Sequence, residues 1–290
     1  MLPALNNRFA LDDQLTFVEH PSGLYQAVVS TPLCRGLFYL HGAHVAEFQP
    51  TGQPPVLFMS GQSEFKVDKP IRGGVPLCFP WFGPHPSDSH APAHGSVRTR
   101  SWEMQSSSRD DSGNISVALA LEIDQWRLTY TVQFGQSLDL ALQVENLADG
   151  MRDCELALHT YLTLADVQTA SVHGLERLSY LDKLTGEMVE PSGQPIRFTQ
   201  ETDRIYHGSV SEVTVRDPGF HRRIRLEPRG SRSTVVWNPW VEKSRRMADF
   251  GDDEFQRMCC VETANVGENR MRLVGVAPNE TGVRISVLND

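Results

Sequence analysis

The sequence predicts an all-β protein built as an antiparallel sandwich, and three observations support this prediction. Runs of alternating apolar and polar residues recur along the chain, as expected for strands that bury one face. Turn residues separate these runs at short intervals, and the long helical patterns that accompany a parallel sheet are scarce. With 290 residues, of which 40% are hydrophobic, the chain can build a sizeable core without disulfides or a structural metal.

The clearest strands form a three-stranded meander in the first half of the chain. Apolar residues occupy every second position in 115–123, in 126–134 and again from 138 to 144. The short segments 124–125 and 135–137 separate the runs, which predicts two hairpins. Because the apolar faces point the same way, one side of the meander is expected to pack and the other to be solvated.

Other strands are predicted with less definite ends, and no linker or repeat divides the chain. The additional candidates are 24–32, 37–48, 154–163, 212–217, 222–227, 233–237, 258–264, 270–276 and 282–288. The best helical pattern is a short one near Glu242–Phe250, which also fits an irregular loop. Residues 1–290 are therefore expected to form one domain.

Charge and cysteine content exclude several function classes. The formal charge of −9 disfavours nucleic-acid binding through phosphate attraction, so any anion site must be local. Five scattered cysteines without C-x-x-C spacing suggest neither a disulfide framework nor a zinc knuckle. No signal peptide and no run of 18 apolar residues is found. A cytoplasmic protein that does not bind membranes is expected.

Reactive side chains concentrate in stretches that lie in loops or at strand ends. Four of them are 72–84 (RGGVPLCFPWFGP), 94–98 (HGSVR), 158–161 (LHTY) and 260–265 (CVETAN). The first two belong to the region 72–100, which is rich in Gly, Pro, His and Arg and too long for a plain hairpin connection. Long ordered loops of this kind often carry function.

Together with 202–206 (TDRIY) and 236–240 (VWNPW), these motifs resemble the aldose 1-epimerase, or galactose mutarotase-like, superfamily. Within it they are most similar to the hexose-6-phosphate mutarotases, also called glucose-6-phosphate 1-epimerases. The motifs keep a consistent order over residues 37–290, and the first and last are highly specific. The resemblance implies an antiparallel β-supersandwich that interconverts the α and β anomers of a hexose 6-phosphate without metal or nucleotide.

By motif position, Glu262 would be the catalytic base and His159 the catalytic acid. Mutarotation removes the proton of the C1 hydroxyl and protonates the ring oxygen; after rotation about C1–C2, reclosure gives the other anomer. One base and one acid suffice, and they exchange roles on reclosure. Without the motifs, Glu262 also fits a strand carboxylate paired with an arginine, and His159 a hydrogen-bonded core histidine.

Four further residues are candidates for substrate binding. Arg72 and Arg98 would hold the phosphate, because a guanidinium matches phosphate oxygens. His94 would contact the sugar ring or its oxygen, and Asp203 a sugar hydroxyl. Viewed alone, the arginines also fit solvated surface residues, and Asp203 a turn. Related sequences often carry Gln where this chain has Ala93, so the preferred sugar is less defined than the reaction.

A metal site is a weaker alternative. His41 and His44 form one histidine cluster, and His85, His90 and His94 form another, but neither has a third and fourth ligand at characteristic spacing. We therefore expect no metal and no cofactor. Four aromatic residues offer ring faces to a sugar, although core packing is their commoner fate: Trp81, Phe82, Trp237 and Trp240.

Two other functions compete with a sugar-phosphate isomerase. A carbohydrate-binding or sensor protein would keep the sandwich and groove, but it has no need for an acid and a base together. A mutarotase for neutral sugars would have little use for two arginines at the far end of the sugar. We expect a monomer whose partner is a small sugar phosphate rather than a nucleic acid.

Overall fold

The computed structural model describes residues 1–289 and consists almost entirely of antiparallel strands. The first half of the chain contains helix α1 (Leu2–Phe9) and strands β1 (Leu15–Glu19), β2 (Tyr25–Ser30), β3 (Cys34–Tyr39), β4 (His44–Pro50), β5 (Leu77–Cys78), β6 (Glu103–Arg109), β7 (Ile115–Ile123), β8 (Trp126–Phe134) and β9 (Leu138–Asn146). No helix within residues 1–289 is long and apolar enough to cross a membrane.

The second half of the chain also consists mainly of antiparallel strands. It contains β10 (Met151–Cys154), β11 (Leu156–Leu158), β12 (Tyr161–Thr163), β13 (Ser171–His173), β14 (Tyr180–Asp182), β15 (Glu187–Val189), β16 (Thr202–His207), β17 (Val213–Asp217), β18 (Arg222–Arg229), β19 (Ser233–Asn238), helix α2 (Trp240–Ser244), β20 (Met258–Asn265), β21 (Met271–Val274) and β22 (Asn279–Asn289). Single turns of 3₁₀-helix occur at Val97–Thr99, Pro218–Phe220, Glu254–Arg257 and Gly267–Asn269.

The strands form two large sheets and two smaller ones. The site sheet has the order β15-β14-β16-β19-β20-β11-β5, with β12 also paired to β20. The opposing sheet has the order β13-β17-β18-β22-β9-β8-β7-β6. Strands β1 to β4 form an N-terminal sheet, and β10 pairs with β21.

The core lies between the site sheet and the opposing sheet because alternate residues of each strand point to opposite faces. Leu158, Val236 and Val261 of the site sheet share one apolar cluster with Leu119 and Tyr130 of the meander. The same cluster extends in sequence from Phe9 to Ile285. The side chains of Val261's neighbours on β20 consequently face away from the opposing sheet.

The predicted fold class and the meander are confirmed, whereas several strand limits are wrong. The candidate 37–48 is two strands separated by a turn at 40–43, and the candidate 154–163 is divided around His159 and Thr160. The pattern at Glu242–Phe250 is helical only as far as Ser244. The region 72–100 is largely irregular, as expected.

A buried ion pair ties three sheets together. Arg222 is fully buried, and its Nε donates to Asp217 Oδ2 at 3.2 Å. The Nη1 atom donates to Pro54 O, and Nη2 donates to Pro55 O and Thr163 O. One guanidinium therefore connects the opposing sheet to β12 and to the loop that follows β4.

We predict that Arg222→Met lowers the free energy of unfolding by about 3–5 kcal/mol, because it leaves a buried carboxylate and three carbonyls without their donor. Urea unfolding measures this change. Arg127→Met is the control, since Arg127 and its partner Glu122 are exposed and such a pair contributes about 1 kcal/mol or less. Similar losses in the two variants would contradict this assignment.

Candidate active site

A cavity of about 330 Å³ opens on the face of the site sheet that points away from the opposing sheet. Its walls come from the site sheet, from the loop 72–100 and from the segment around α2. The lining residues are Arg72, Phe82, Gly83, Pro84, Ala93, His94, Arg98, His159, Tyr161, Lys183, Asp203, Trp237, Lys243, Met247 and Glu262.

Strand register brings His159 and Glu262 together. Leu158 pairs with Thr263 and Tyr161 pairs with Cys260, so His159 lies opposite Glu262 between these two pairs. Residues directly opposite on antiparallel strands project on the same face. The His159 Nε2 atom lies 3.4 Å from Glu262 Oε1, and the two side chains are 10% and 1% exposed.

A second cross-strand row contains the sugar-contact candidate Asp203. Asp203 pairs with Trp237, which in turn pairs with Cys260 opposite Tyr161. At the other end of the row, Lys183 Nζ lies 3.2 Å from Asp203 Oδ1 and 5.2 Å from the centre of the Phe82 ring. This part of the pocket wall thus has a charged pair, Lys183 and Asp203, at one end and the aromatic ring of Tyr161 at the other.

The loop 72–100 contributes its side chains through unusual backbone conformations. Gly95 has a φ of +80°, and a Cβ there would overlap the backbone of Phe79. The preceding His94 also has a positive φ of 63°, which is uncommon for a side-chain-bearing residue. Its ring lies edge-on to His159 at 5.7 Å, with Nδ1 3.6 Å from Cys78 Sγ. This tight segment aims the His94 ring into the pocket.

Burial shifts the pKa values of Glu262, His159 and His94 in the directions that disfavour their charged forms. Desolvation raises the pKa of Glu262 well above its usual value, although Lys183 acts in the opposite sense. Desolvation, reinforced by His94 and Arg72, lowers the pKa of His159 well below its usual value. Desolvation and the nearby Arg98 lower the pKa of His94 to about 3.

The two arginines differ in how far the protein compensates their charge. Arg72 donates from Nε to Asp249 Oδ2 at 3.1 Å and from Nη1 to the Tyr161 hydroxyl at 3.0 Å. Its Nη2 atom forms an ion pair with Asp249 Oδ2 at 3.0 Å. Arg98 donates from Nη2 to Ala93 O, and its buried Nε has no hydrogen-bond partner among the residues that the structure describes. Within residues 1–289, Arg98 makes no ion pair with a carboxylate, so it is the less compensated cation of the pocket.

The six site residues predicted from sequence all line this one cavity: His159, Glu262, Arg72, His94, Arg98 and Asp203. Two of the non-functional alternatives that the sequence left open are wrong. Glu262 faces a histidine rather than an arginine, and Asp203 belongs to β16 rather than to a turn. Of the four aromatic residues, only Phe82 and Trp237 line the cavity.

The histidine clusters have other partners. In the part of the chain that the structure describes, no group of three or more His, Cys, Asp or Glu side chains is arranged to hold a metal ion. His41 Nε2 donates to Lys69 O, and His85 Nδ1 accepts from the amides of Ser87 and Asp88.

Sequence reasoning missed four polar residues at or beside the cavity: Tyr161, Lys183, Lys243 and Asp249. Tyr161 could have been predicted to line the site. It stands two residues after His159 in the same motif, and residues i and i+2 of a strand point to the same face. No local pattern marks the other three: Lys183 directly follows β14, Lys243 lies in α2, and Asp249 lies in the segment after α2.

Comparison with known proteins identifies the family. The family model described as aldose 1-epimerase matches residues 29–281. The chain belongs to the aldose 1-epimerase family. The motif resemblance is thereby confirmed, and the aldose 1-epimerase fold accounts for the antiparallel sandwich described above.

Individual relatives of this aldose 1-epimerase family member are similar over most of their length. A protein of Escherichia coli K12, provisionally named glucose-6-phosphate 1-epimerase, is 32% identical over 251 residues, with 84% of each chain covered. A protein of Cenchrus ciliaris with the same provisional name is 31% identical over 268 residues, or 86% of this chain and 80% of that one. A Salmonella typhimurium structure, provisionally described as a mutarotase, has a TM-score of 0.90 at 26% identity, covering 97% and 96% of the two chains.

We predict that Glu262→Gln raises the melting temperature at pH 8 and that this gain disappears below pH 4. The folded pKa of Glu262 lies above the unfolded value of about 4.3. As the pH rises beyond that value, the unfolded chain releases a proton that the folded chain retains, so wild-type stability falls. Thermal unfolding between pH 4 and 8 measures the effect.

Glu187→Gln is the matched control, because Glu187 is an exposed carboxylate on β15 of the same sheet. A gain from Glu262→Gln that stays constant with pH would show that the burial of this carboxyl does not carry the cost assigned to it.

Proposed function

We propose that this protein is a mutarotase that interconverts the α and β anomers of hexose 6-phosphates, with glucose 6-phosphate as the first substrate to test. The observation that carries the proposal is the facing pair His159 and Glu262 in a cavity that is also lined by Arg98, whose Nη2 donates to Ala93 O rather than to a carboxylate. The names of the two curated relatives point to the same substrate class.

The acid and base roles follow from the proton demands of ring opening. His159 and Glu262 share one proton. When this proton is on His159, the Glu262 carboxylate accepts the proton of the C1 hydroxyl and the His159 imidazolium donates a proton to the ring oxygen. The C1–O bond of the ring breaks, the C1–C2 bond rotates, and the ring closes on the other face of the aldehyde. During closure, Glu262 acts as the acid and His159 as the base.

The burial of both groups favours this proton transfer. A raised pKa makes the Glu262 carboxylate a stronger base, and a lowered pKa makes the His159 imidazolium a stronger acid. Opening the ring also converts a buried charge pair into two neutral side chains, which a poorly solvated pocket stabilises. Both effects act in the direction of ring opening.

Recognition of the rest of the sugar divides between two ends of the pocket. Arg98 has unused hydrogen-bonding capacity, which suits it to a phosphate, while Arg72 must exchange Asp249 for the incoming anion. Asp203, held by Lys183, can accept from sugar hydroxyls. Because its pKa is lowered to about 3, His94 is neutral and can offer one N–H to a sugar oxygen.

We further propose that residues 1–290 act as one folded unit, as a monomer and in the cytoplasm. One apolar cluster serves most of the chain, and a single chain lines the whole cavity. All five cysteines are free and buried, which fits a reducing compartment. Light scattering of the purified protein tests the monomer.

We predict that Glu262→Gln and His159→Ala each lower anomer exchange of glucose 6-phosphate by roughly 10²–10⁴-fold, because each removes one of the two proton-transfer groups. Exchange NMR, corrected for spontaneous mutarotation, gives the rates. Glu187→Gln again serves as the control. Near-wild-type exchange in either site variant would overturn the acid–base assignment, and an inactive wild-type protein that still binds the sugar would favour a binding role.

We predict that Arg98→Ala raises the KM for glucose 6-phosphate about tenfold more than it affects free glucose, because a charge-assisted contact contributes about 1.5–3 kcal/mol. The phosphate is remote from C1, so its contacts act on ground and transition states alike and the loss falls on KM. Arg35→Ala, at an exposed arginine of β3, is the control. Equal losses on both sugars, or a wild-type preference for free glucose, would contradict the phosphate site.

A further inference from the structure

The ring of Tyr161 lies flat against the imidazole of His159. The two ring centres are 4.8 Å apart and the planes differ by 12°. The Nδ1 atom of His159 is buried and has no hydrogen-bond partner among residues 1–289, whereas catalytic histidines are usually oriented by a bond to that second nitrogen. The plane of the His159 ring is therefore set by ring contacts, of which the Tyr161 face is the only parallel one in the described chain.

The hydroxyl of Tyr161 reaches the other end of the pocket. It accepts a hydrogen bond from Arg72 Nη1 at 3.0 Å. The Tyr161 side chain is 1% exposed, and its backbone is fixed by bonds to Gly74 O and from the amide of Phe58. Burial raises the pKa of Tyr161, so the group remains a neutral phenol. Tyr161 is thus a rigid connection between an arginine and the acid.

The polar contacts of Arg72 are divided between Asp249 and Tyr161, and this division determines how an anionic ligand can bind to the guanidinium. Asp249 Oδ2 accepts a hydrogen bond from Nε and lies 3.0 Å from Nη2, whereas the Tyr161 hydroxyl accepts from Nη1. An incoming phosphate can replace Asp249 on the first two donors without breaking the bond to Tyr161. The tyrosine then keeps the guanidinium in place when its carboxylate partner leaves.

We propose that Tyr161 is a positioning residue with two separable tasks: its ring face holds His159 opposite Glu262, and its hydroxyl holds Arg72 for the phosphate. This inference rests on the mutarotase function proposed above and adds a specificity element to it. Recognition of the phosphate and orientation of the acid then depend on one side chain.

Two substitutions separate the tasks. Tyr161→Phe keeps the ring and removes the hydroxyl, so we expect KM for glucose 6-phosphate to rise about tenfold more than KM for glucose. Tyr161→Leu also removes the ring face, so we expect kcat to fall about 10–100-fold on both sugars in addition, because His159 is no longer held in line. Exchange NMR at a series of substrate concentrations provides KM and kcat for each.

Tyr130→Phe is the matched control, because Tyr130 is a buried tyrosine of the opposing sheet whose hydroxyl has no hydrogen-bond partner in the described part of the chain. It should leave both constants unchanged. If Tyr161→Leu does not fold, Tyr161→Met repeats the test with a flexible side chain that fills the same space.

A purely structural role predicts a different pattern. Tyr161→Phe with equal changes on both sugars, or Tyr161→Leu with the same kcat as Tyr161→Phe, would overturn the inference while leaving the mutarotase proposal intact. Loss of the mutarotase proposal has its own signature, which is a wild-type protein that does not accelerate anomer exchange.

Discussion

The site depends on the strand register between β20 and the strands that pair with it. Strands β11 and β12 pair with β20 on one side and β19 pairs with it on the other, so one strand aligns the acid, the base and the row that holds Asp203. A shift of one residue would turn Glu262 into the apolar core and Val261 into the pocket. The break between β11 and β12 keeps this register, so His159 stays opposite Glu262. The buried Arg222 holds β12 from behind by bonding to Thr163 O.

The site is built at a cost to stability. Among residues 1–289, one carboxyl oxygen of Glu262 and one ring nitrogen of His159 have no hydrogen-bond partner, and both side chains are almost fully buried. Such burial is unfavourable for ionisable side chains, and proteins keep it where altered proton affinity is useful. The extensive apolar cluster between the sheets is what allows the fold to tolerate this arrangement.

The features of the fold and of the site that could be predicted from the sequence are those whose residue pattern lies within a short stretch of the chain. The meander was predicted nearly to the residue because its apolar alternation and polar turns are read within single strands. The turn at 40–43 was missed because Leu40 and Ala43 are buried apolar residues, which hide a chain reversal inside an apolar run. The predicted site residues came from motifs, whereas Lys183 reaches the pocket only through the pairing of β14 with β16, which no local pattern encodes.

In the proposed mechanism, the direct contact between His159 and Glu262 makes a turnover independent of proton exchange with solvent. In the proposed cycle the two side chains hold one proton between them at every stage: it is on His159 before the ring opens and after it closes, and on Glu262 while the sugar is open. The pair ends each inversion in the protonation state in which it began, whichever anomer entered. No proton has to be collected from water or buffer between turnovers, and the forward and reverse reactions use the same resting enzyme.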